Sequence, residues 1–357
     1  MINYGVGPTA DEVEVVVFGP GYGEAIAVHL GDHQWLLVDS CIDPNTKRPA
    51  ALDYLAAIGV PATDVRVVVA THWHDDHVRG LSNVVAACSN AELQISGALD
   101  SKEARQLLAA YSSQPAPGLA VGTKEMVKAI QQGSDTYYLH SRTTVHDFVA
   151  SHGARIVVTA LSPTQAAITK SLAHLAQYLP DPTGQLPIGH ITPVAPNSEA
   201  VVLHIDIGGD AILLGSDLEE NAHFGWTALA ADKLNAGRTK ASVYKVAHHG
   251  SHTGDTGLIW QTFLQPGSTA ALTPFKRGNV SLPTEADLIR LTGSASSTYL
   301  SSRASRKATM DASLAKKLGQ TVKNLATVNN GFGAVRMRRS VGAANWRVEC
   351  FGDAHKV

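Results

Sequence analysis

Residues 71–77 read Thr-His-Trp-His-Asp-Asp-His, so three imidazoles and two carboxylates fall within six consecutive positions. The segment directly follows a run, Val65–Ala70, that is apolar except for Arg66. Imidazole nitrogens and carboxylate oxygens are the usual ligands of Zn²⁺ and its first-row neighbours, and ligands in one tight loop are ordered together when that loop folds. The cluster therefore predicts a metal site at the end of a buried strand.

The chain has the composition of a globular protein with a substantial core. Its 357 residues are 44% hydrophobic, enough for one large or two ordinary domains. Residues 1–14 lack the basic and apolar segments of a signal peptide, and no apolar run approaches the ~20 residues of a membrane span. We therefore expect a cytoplasmic protein without a membrane partner. The three cysteines are too widely spaced to predict a disulfide framework or a cysteine zinc site.

Charge is unevenly distributed, although the net charge is only −2. Residues 301–357 contain eleven Lys or Arg against three Asp or Glu, a balance of +8, which leaves 18 against 28, or −10, for residues 1–300. The basic residues include Arg303, Arg306, Lys307, Lys316, Lys317, Lys323, Arg336, Arg338 and Arg339. A polyanionic substrate would explain this basic C-terminal segment. A solvated helix face followed by an edge strand protected by charge would explain it equally well.

Short apolar runs between glycine-rich turns predict two groups of strands. The first group covers residues 13–18, 25–30, 34–39 and 65–70, with a helix at 50–58 and a hairpin turn at 19–23. The second group covers residues 200–207, 211–214, 243–247, 270–272, 333–339 and 346–351. Each group contains a strand that ends in histidines. We therefore expect two packed sheets with the metal ligands at their shared edge.

Residues 101–196 differ in composition from the strand-rich regions on either side. They are rich in Ala, Ser, Thr, Gln and Pro, with helical spacing at 101–111, 123–132 and 164–179 and an irregular, proline-rich loop at 181–197. We interpret this region as a helical insertion or cap on a single domain that covers residues 1–357.

The ligand spacing predicts that one loop serves two metal ions. His72 and His74 are two residues apart, so on an extended segment they point the same way. Asp76 and His77 can then turn toward a neighbouring position. Asp217 ends another apolar run and is predicted to bridge both ions, with capping of a following helix as the alternative role.

A second histidine cluster follows the predicted strand at 243–247 and reads His248-His249-Gly250-Ser251-His252. Gly250 allows close approach of the backbone. At least one of the two adjacent histidines is predicted to be a ligand. We expect His252 to lie behind the ligands or to face the substrate.

Residues 72–77 match the His-x-His-x-Asp-His signature, and through it the chain resembles the metallo-β-lactamase superfamily. The resemblance implies an α/β fold, an αββα sandwich of two mixed β-sheets flanked by helices. It also implies that Asp39 orients the metal loop, that Asp217 is the bridging aspartate and that His248 is the final histidine ligand. Alignment with relatives that have Gly-His-Gly would select His249 instead, so both histidines remain open.

Within the superfamily, the chain is most similar to the hydrolase domain of ComEC-type proteins. This resemblance rests on Asn197-Ser198 before a strand, on residues 213–217 and on residues 245–251. It implies that Asn197 and Ser198 occupy the place of the usual middle histidine ligand, which weakens the first metal site. Among the other histidines of the interval, His190 is the best replacement because its Pro/Gly-rich loop could reach back.

The predicted ligands are His72, His74, Asp76, His77, Asp217 and His248, and they imply a hydrolase that uses a metal-bound hydroxide. Two Zn²⁺ ions are the expected cofactor, and Mn²⁺ or Fe suits the same ligand types. Asp76 and Asp217 are the predicted catalytic residues, Asp76 by orienting the hydroxide or relaying its proton.

The expected substrate is a phosphodiester such as a nucleic acid, because of the ComEC-like pattern and the basic C-terminal segment. One alternative is hydrolysis of a small ester, lactone, thioester or phosphoester beneath the predicted cap. The other is a non-catalytic, metal-stabilised binding module.

Overall fold

The computed structural model describes residues 2–19, 23–100, 121–133, 135–175, 196–303 and 331–357. The strands are β1 (Glu12–Gly19), β2 (Ala25–His29), β3 (Trp35–Val38), β4 (Val65–Ala70), β5 (Glu92–Ser96), β6 (Thr136–Leu139), β7 (Thr144–Val149), β8 (Arg155–Ala160), β9 (Leu203–Asp206), β10 (Ala211–Leu214), β11 (Ala241–Lys245), β12 (Leu264–Leu272), β13 (Phe275–Arg277), β14 (Val280–Leu282), β15 (Ser297–Leu300), β16 (Gly333–Ser340), β17 (Arg347–Gly352) and β18 (His355–Lys356).

The α-helices are α1 (Ala50–Ala57), α2 (Asp75–Val78), α3 (Leu81–Ala87), α4 (Val121–Gln132), α5 (Gln165–Leu175), α6 (Trp226–Ala231), α7 (Lys233–Ala236), α8 (Gly257–Thr262) and α9 (Glu285–Ser294). Short 3-10 helices lie at Ala62–Asp64, Gly97–Leu99, Pro196–Glu199 and Ala247–Gly250. Among the helices that the structure describes, none is long and apolar enough to cross a membrane.

The first sheet has the strand order β17-β16-β1-β2-β3-β4-β5-β6. Its central strands are rich in valine, and β-branched side chains favour the pleated conformation. β3, β4, β5 and β6 are parallel neighbours, so their carboxyl ends meet at one edge of the sheet. The loops after β3 and β4 lie at that edge.

The second sheet has the strand order β18-β15-β12-β11-β10-β9-β8-β7. β10, β11, β12 and β15 are parallel neighbours, and their carboxyl ends also meet at one edge. A separate two-stranded hairpin, β13 and β14, follows β12 at this edge.

Three apolar clusters define four layers. The middle cluster joins the two sheets and includes Val17, Val69, Ile205 and Val243, all of them buried. A second cluster packs α1, α3 and α4 on the first sheet, and a third packs α6, α8 and α9 on the second. Each buried aliphatic side chain contributes about 1.5–3 kcal/mol relative to exposure. The predicted αββα sandwich of two mixed sheets is confirmed.

The two strands near the C-terminus were predicted in the second sheet, and that placement is wrong. β16 pairs antiparallel with β1, and β17 pairs antiparallel with β16, both in the first sheet. A buried ion pair supports this pairing, since Arg338 Nε lies 2.5 Å from Glu14 Oε2 of β1. Local apolar alternation is the same in either sheet, so it predicts a strand without identifying its neighbour.

The arginines of β16 do not belong to an edge strand, because β16 lies between β1 and β17. Arg336 and Arg338 are only 4% and 5% exposed. Arg336 pairs with Glu349 at 2.8 Å, and Arg339 reaches Asp210 of the second sheet at 2.7 Å. The interpretation of these arginines as edge protection is therefore wrong, and their charges are paired within the fold. Arg306, Lys307, Lys316, Lys317 and Lys323 lie outside the described residues.

The predicted insertion at 101–196 contains strands as well as helices. β6 extends the first sheet, while β7 and β8 extend the second. α4 and α5 correspond to the helices predicted at 123–132 and 164–179. The predicted helix at 101–111, most of the loop at 181–197 and His190 lie outside the described residues.

Candidate metal centre

The predicted ligands lie at the carboxyl ends of neighbouring strands in both sheets. Asp39 follows β3, and the loop at 71–77 follows β4 and continues into α2. Asp217 lies in the loop after β10, and His248 and His249 lie in the loop after β11. Packing of the two sheets brings these loops together at one edge of the sandwich.

Asp39 holds the metal loop by accepting hydrogen bonds from three of its groups. Its Oδ1 accepts from the backbone N–H of Thr71 at 2.8 Å, and its Oδ2 accepts from Thr71 Oγ1 at 2.8 Å. The same Oδ2 lies 2.7 Å from His77 Nδ1, which donates to it. This bond directs Nε2 of His77 toward the centre of the site.

One group of ligand atoms comes from Asp76, His77, Asp217 and His249, and these atoms all lie within 4.8 Å of one another. His77 Nε2 is 3.3 Å from Asp217 Oδ2. His249 Nε2 is 3.2 Å from Asp76 Oδ2 and 3.5 Å from Asp217 Oδ2. All four residues are buried. We call this the deep group.

A second group comprises His72, His74 and Asp217, again with ligand atoms within 4.8 Å of one another. His72 Nε2 and His74 Nδ1 are only 3.1 Å apart. The hydroxyl of Thr71 already donates to Asp39, so His72 Nδ1 donates to Thr71 Oγ1 at 2.9 Å and leaves Nε2 with a lone pair. We call this the outer group, and Asp217 belongs to both groups.

The arrangement of the donor atoms suits a bound cation better than it suits hydrogen bonds among the donors themselves. Within the described part of the chain, His77 Nε2 and Asp217 Oδ1 are buried without a hydrogen-bond partner. Buried polar atoms normally have partners, and two unpartnered buried atoms on residues of one His/Asp cluster are a reason to expect an ion. Imidazole with carboxylate is a donor set that suits Zn²⁺.

The electrostatics of the site favour the binding of cations. Burial lowers the pKa of His77, but the carboxylates of Asp217 and Asp39 outweigh burial and raise that pKa well above the ordinary value. The pKa of His249 is also raised, because Asp217 and Asp76 together outweigh the effect of burial. Burial and the charge of His77 lower the pKa of His72. Two imidazoles therefore hold protons beside the carboxylates when no metal is bound, while His72 is neutral.

The two adjacent histidines occupy different surroundings. His249 belongs to the deep group, and its Nδ1 donates to the carbonyl oxygen of Thr273 at 3.1 Å. His248 lies outside both groups as defined above, and its Nδ1 contacts Glu219 Oε1 at 3.1 Å. The sequence analysis favoured His248 as the final ligand, and in the structure it is the ring of His249 that lies with Asp76, His77 and Asp217. Both residues have positive φ, 47° and 52°, and this left-handed backbone turns their rings apart.

The remaining predicted residues lie around the two groups. Asn197 is buried beside His248, with Nδ2 3.4 Å from His248 Nε2, and Ser198 is buried next to it. His252 is exposed and belongs to neither group. Asp75, the other carboxylate of the loop, accepts a hydrogen bond from the backbone of Gly122 at the start of α4.

Several supporting residues were missed by the sequence analysis because they lie far apart in the chain. Lys245 and Glu24 form a buried ion pair, with Nζ and Oε1 2.5 Å apart. Thr273 Oγ1 donates to Glu24 Oε2 and lies 3.0 Å from His249 Nδ1. The ring of Phe275 stacks on His249 with centroids 5.0 Å apart. The local signal that could have pointed to this pair was a lysine, Lys245, within the apolar run that precedes the histidine cluster.

Buried His and Asp ligands at the shared edge of two packed sheets define a metal-dependent hydrolase of the αββα class. The sequence profile of the metallo-beta-lactamase superfamily matches residues 18–259. The chain belongs to this superfamily, since the match covers more than half of it, and we class it as a hydrolase of the metallo-β-lactamase fold.

Similar solved structures share little sequence with this chain. The metallo-beta-lactamase fold protein YhfI from Bacillus subtilis is 13% identical, with a TM-score of 0.43, and the alignment covers 81% of this chain and 95% of that one. MEM-A1, a subclass B3 metallo-beta-lactamase from a soil metagenome library, is 16% identical, with a TM-score of 0.35 and coverage of 73% and 87%. A metallo-beta-lactamase from Cronobacter sakazakii is 14% identical, with a TM-score of 0.37 and coverage of 65% and 76%. No curated protein matches the chain.

Proposed function

We propose that this protein is a hydrolase with a two-metal centre in which Asp217 bridges the ions. The observation that carries the proposal is the membership of Asp217 in both the deep and the outer group. A carboxylate has two oxygens, so it can serve two ions at once. Zn²⁺ is the expected metal, and Mn²⁺ or Fe is compatible with the same donors.

The bound ions would supply an activated water and offset the negative charge that develops in the transition state. The protein residues prepare the site for this chemistry. Asp39 orients His77 through a 2.7 Å hydrogen bond, and Thr71 orients His72 through a 2.9 Å hydrogen bond. Asp76 is both a proposed ligand and the residue proposed to orient the attacking water.

We propose His249 as the final ligand of the deep group. Its Nδ1 donates to the carbonyl oxygen of Thr273, so Nε2 is free to face Asp76 and Asp217. His248 is not a member of the deep group, and its Nδ1 contacts Glu219 instead.

A phosphodiester is the substrate class that we propose to test first. The support is the ComEC-like sequence pattern together with the hairpin of β13 and β14, which carries exposed Lys276 and Arg277 immediately after Phe275. Phe275 stacks on His249, so the hairpin that carries these cations begins next to a proposed ligand. Positive side chains lower the free energy of phosphate binding in a salt-dependent way. The arginines of β16 give no support because they are paired internally.

Substitution of the bridging aspartate tests the proposal. Zn²⁺- or Mn²⁺-loaded protein should hydrolyse bis(p-nitrophenyl) phosphate or labelled single- and double-stranded DNA or RNA. The kcat/KM of Asp217→Asn should be at least about 100-fold lower than that of the wild type, because removing a ligand costs more than removing the group that supports a ligand. Asp135→Asn, at an exposed position, is the matched control.

The same assay separates the competing functions. Turnover of small esters, lactones or thioesters without phosphodiester cleavage would select a small-molecule hydrolase. One tightly held ion with no turnover of any substrate would contradict catalysis and select a metal-stabilised binding module.

A further inference from the structure

The ring of His248 is supported in the way that metal-binding imidazoles usually are. Its Nδ1 lies 3.1 Å from Glu219 Oε1 and 3.1 Å from Thr253 Oγ1. A carboxylate oxygen only accepts hydrogen bonds, so Nδ1 carries the hydrogen and Nε2 keeps a lone pair. A carboxylate that holds one ring nitrogen while the other faces an ion is a recurring arrangement in zinc proteins.

The lone pair of His248 faces the place of the missing middle histidine. Asn197 Nδ2 is 3.4 Å from His248 Nε2, a long contact, and donates to Glu219 Oε1 at 3.1 Å. Within the described residues, Asn197 Oδ1 is buried without a hydrogen-bond partner. His248 Nε2 and Asn197 Oδ1 are therefore electron-rich atoms on two side chains in contact with each other.

His248 also lies near the outer group. The backbone N–H of His248 donates to the carbonyl oxygen of Ser216 at 2.9 Å. Asp217, the next residue after Ser216, is a member of that group. The ring centroids of His248 and His249 are 6.3 Å apart, and the latter residue belongs to the deep group. The left-handed backbone at both residues thus separates the two consecutive imidazoles.

We propose that His248 is the third imidazole ligand of the outer metal and replaces the middle histidine, with Glu219 and Asn197 as positioning residues. The inference rests on the proposed two-metal centre and deepens it. His72 Nε2, His74 Nδ1 and His248 Nε2 would join Asp217 in holding that ion. Adjacent histidines in one loop therefore serve different metals.

Metal binding measured by itself tests this assignment without any substrate. Wild-type protein, stripped with a chelator, is titrated with Zn²⁺ by calorimetry, and Co²⁺ spectra report the ligand field. Loss of a group that supports a ligand typically weakens metal binding by about 10- to 100-fold. His248→Ala should weaken the binding of one equivalent of Zn²⁺ by more than this. His249→Ala should weaken the other. Glu219→Gln should weaken the same equivalent as His248→Ala, by about 10-fold.

The control is His152→Ala, because His152 is exposed in the turn between β7 and β8. This turn contacts Asp32, which precedes β3, whereas Asp39 of the metal site follows β3. The control variant should bind both equivalents of Zn²⁺ as the wild type does. If His248→Ala keeps both equivalents at wild-type affinity while His249→Ala loses one, the assignment is overturned and the two-metal centre stands. If wild-type protein binds no metal, both proposals fail. Should His248→Ala not fold, unchanged affinity in Glu219→Gln overturns the assignment.

Discussion

Lys245 and Glu24 show how single buried residues support the ligands from behind. Both side chains are essentially unexposed, and Lys245 Nζ also donates to the carbonyl oxygen of Ser216 at 3.3 Å. Glu24 accepts from Thr273, which contacts His249. The ion pair therefore links the loop that carries Asp217 to the loop that carries the last proposed ligand.

Lys245→Met should destabilise the protein by about 3–5 kcal/mol, because it leaves the buried charge of Glu24 uncompensated. Urea unfolding of metal-free protein measures this loss. The double variant Lys245→Met/Glu24→Gln should recover a substantial part of it. Lys128→Met, at an exposed position of α4, is the control. A loss below about 1 kcal/mol, the scale of a surface ion pair, would contradict the role assigned to this pair.

The 3-10 helix Pro196–Glu199 carries a buried carboxyl group between the sheets' shared edge and α5. Burial raises the pKa of Glu199 from 4.5 to about 7, although a hydrogen bond from Ser171 and the charge of Lys170 oppose the shift. Between pH 4.5 and about pH 7, Glu199 is therefore protonated in the folded protein and ionised in the unfolded chain. Stability contributed by the protonated form is lost as the pH rises through that window.

Glu199→Gln should remove this pH dependence because an amide does not ionise. The variant should gain stability relative to wild type as the pH rises from 5 to 8, by up to roughly 3 kcal/mol for a shift of this size. Chemical unfolding at several pH values gives the difference. Glu285→Gln, at an exposed position of α9, controls for loss of a charge. A difference between variant and wild type that does not change with pH would refute the assigned ionisation.

The assembled site brings carboxylates and imidazoles together at the edge where the sheets meet, and two of the imidazoles are protonated there in the absence of metal. The pKa values of His77 and His249 are raised against the effect of burial, in both cases by Asp217 among the nearby carboxylates. An ion must displace these protons before it can bind. Metal binding, folding and pH are therefore linked in this protein.

Zn²⁺ should raise the Tm, since a ligand that binds only the folded state adds about 2.7 kcal/mol at 100 times its Kd. Binding should also release protons, and affinity should fall as the pH decreases because His77 and His249 must lose their protons. Calorimetry in two buffers of different ionisation enthalpy counts the protons released. Asp217→Asn should show a smaller rise in Tm. Affinity that is independent of pH would rule out proton displacement at these imidazoles.

The metal loop and the sandwich fold were predictable from the sequence for a local reason. His72, His74, Asp76 and His77 lie within six residues after a buried strand, so their proximity depends on one loop rather than on the fold. Alternating apolar runs likewise predict strands directly, because the side-chain period of a strand is a local property. The αββα class followed from these patterns and from the resemblance that the loop revealed.

Contacts between segments that are distant in the sequence could be identified only from the folded structure. The surroundings of His248 and His249 differ because a left-handed backbone separates the two adjacent rings, and residue type and spacing do not encode this conformation. The pairing of β16 with β1, and the burial of its arginines against acidic partners, reversed the interpretation of a basic segment. Sequence order specifies which residues are neighbours along the chain, whereas packing of the two sheets specifies which charges and ligands meet across it.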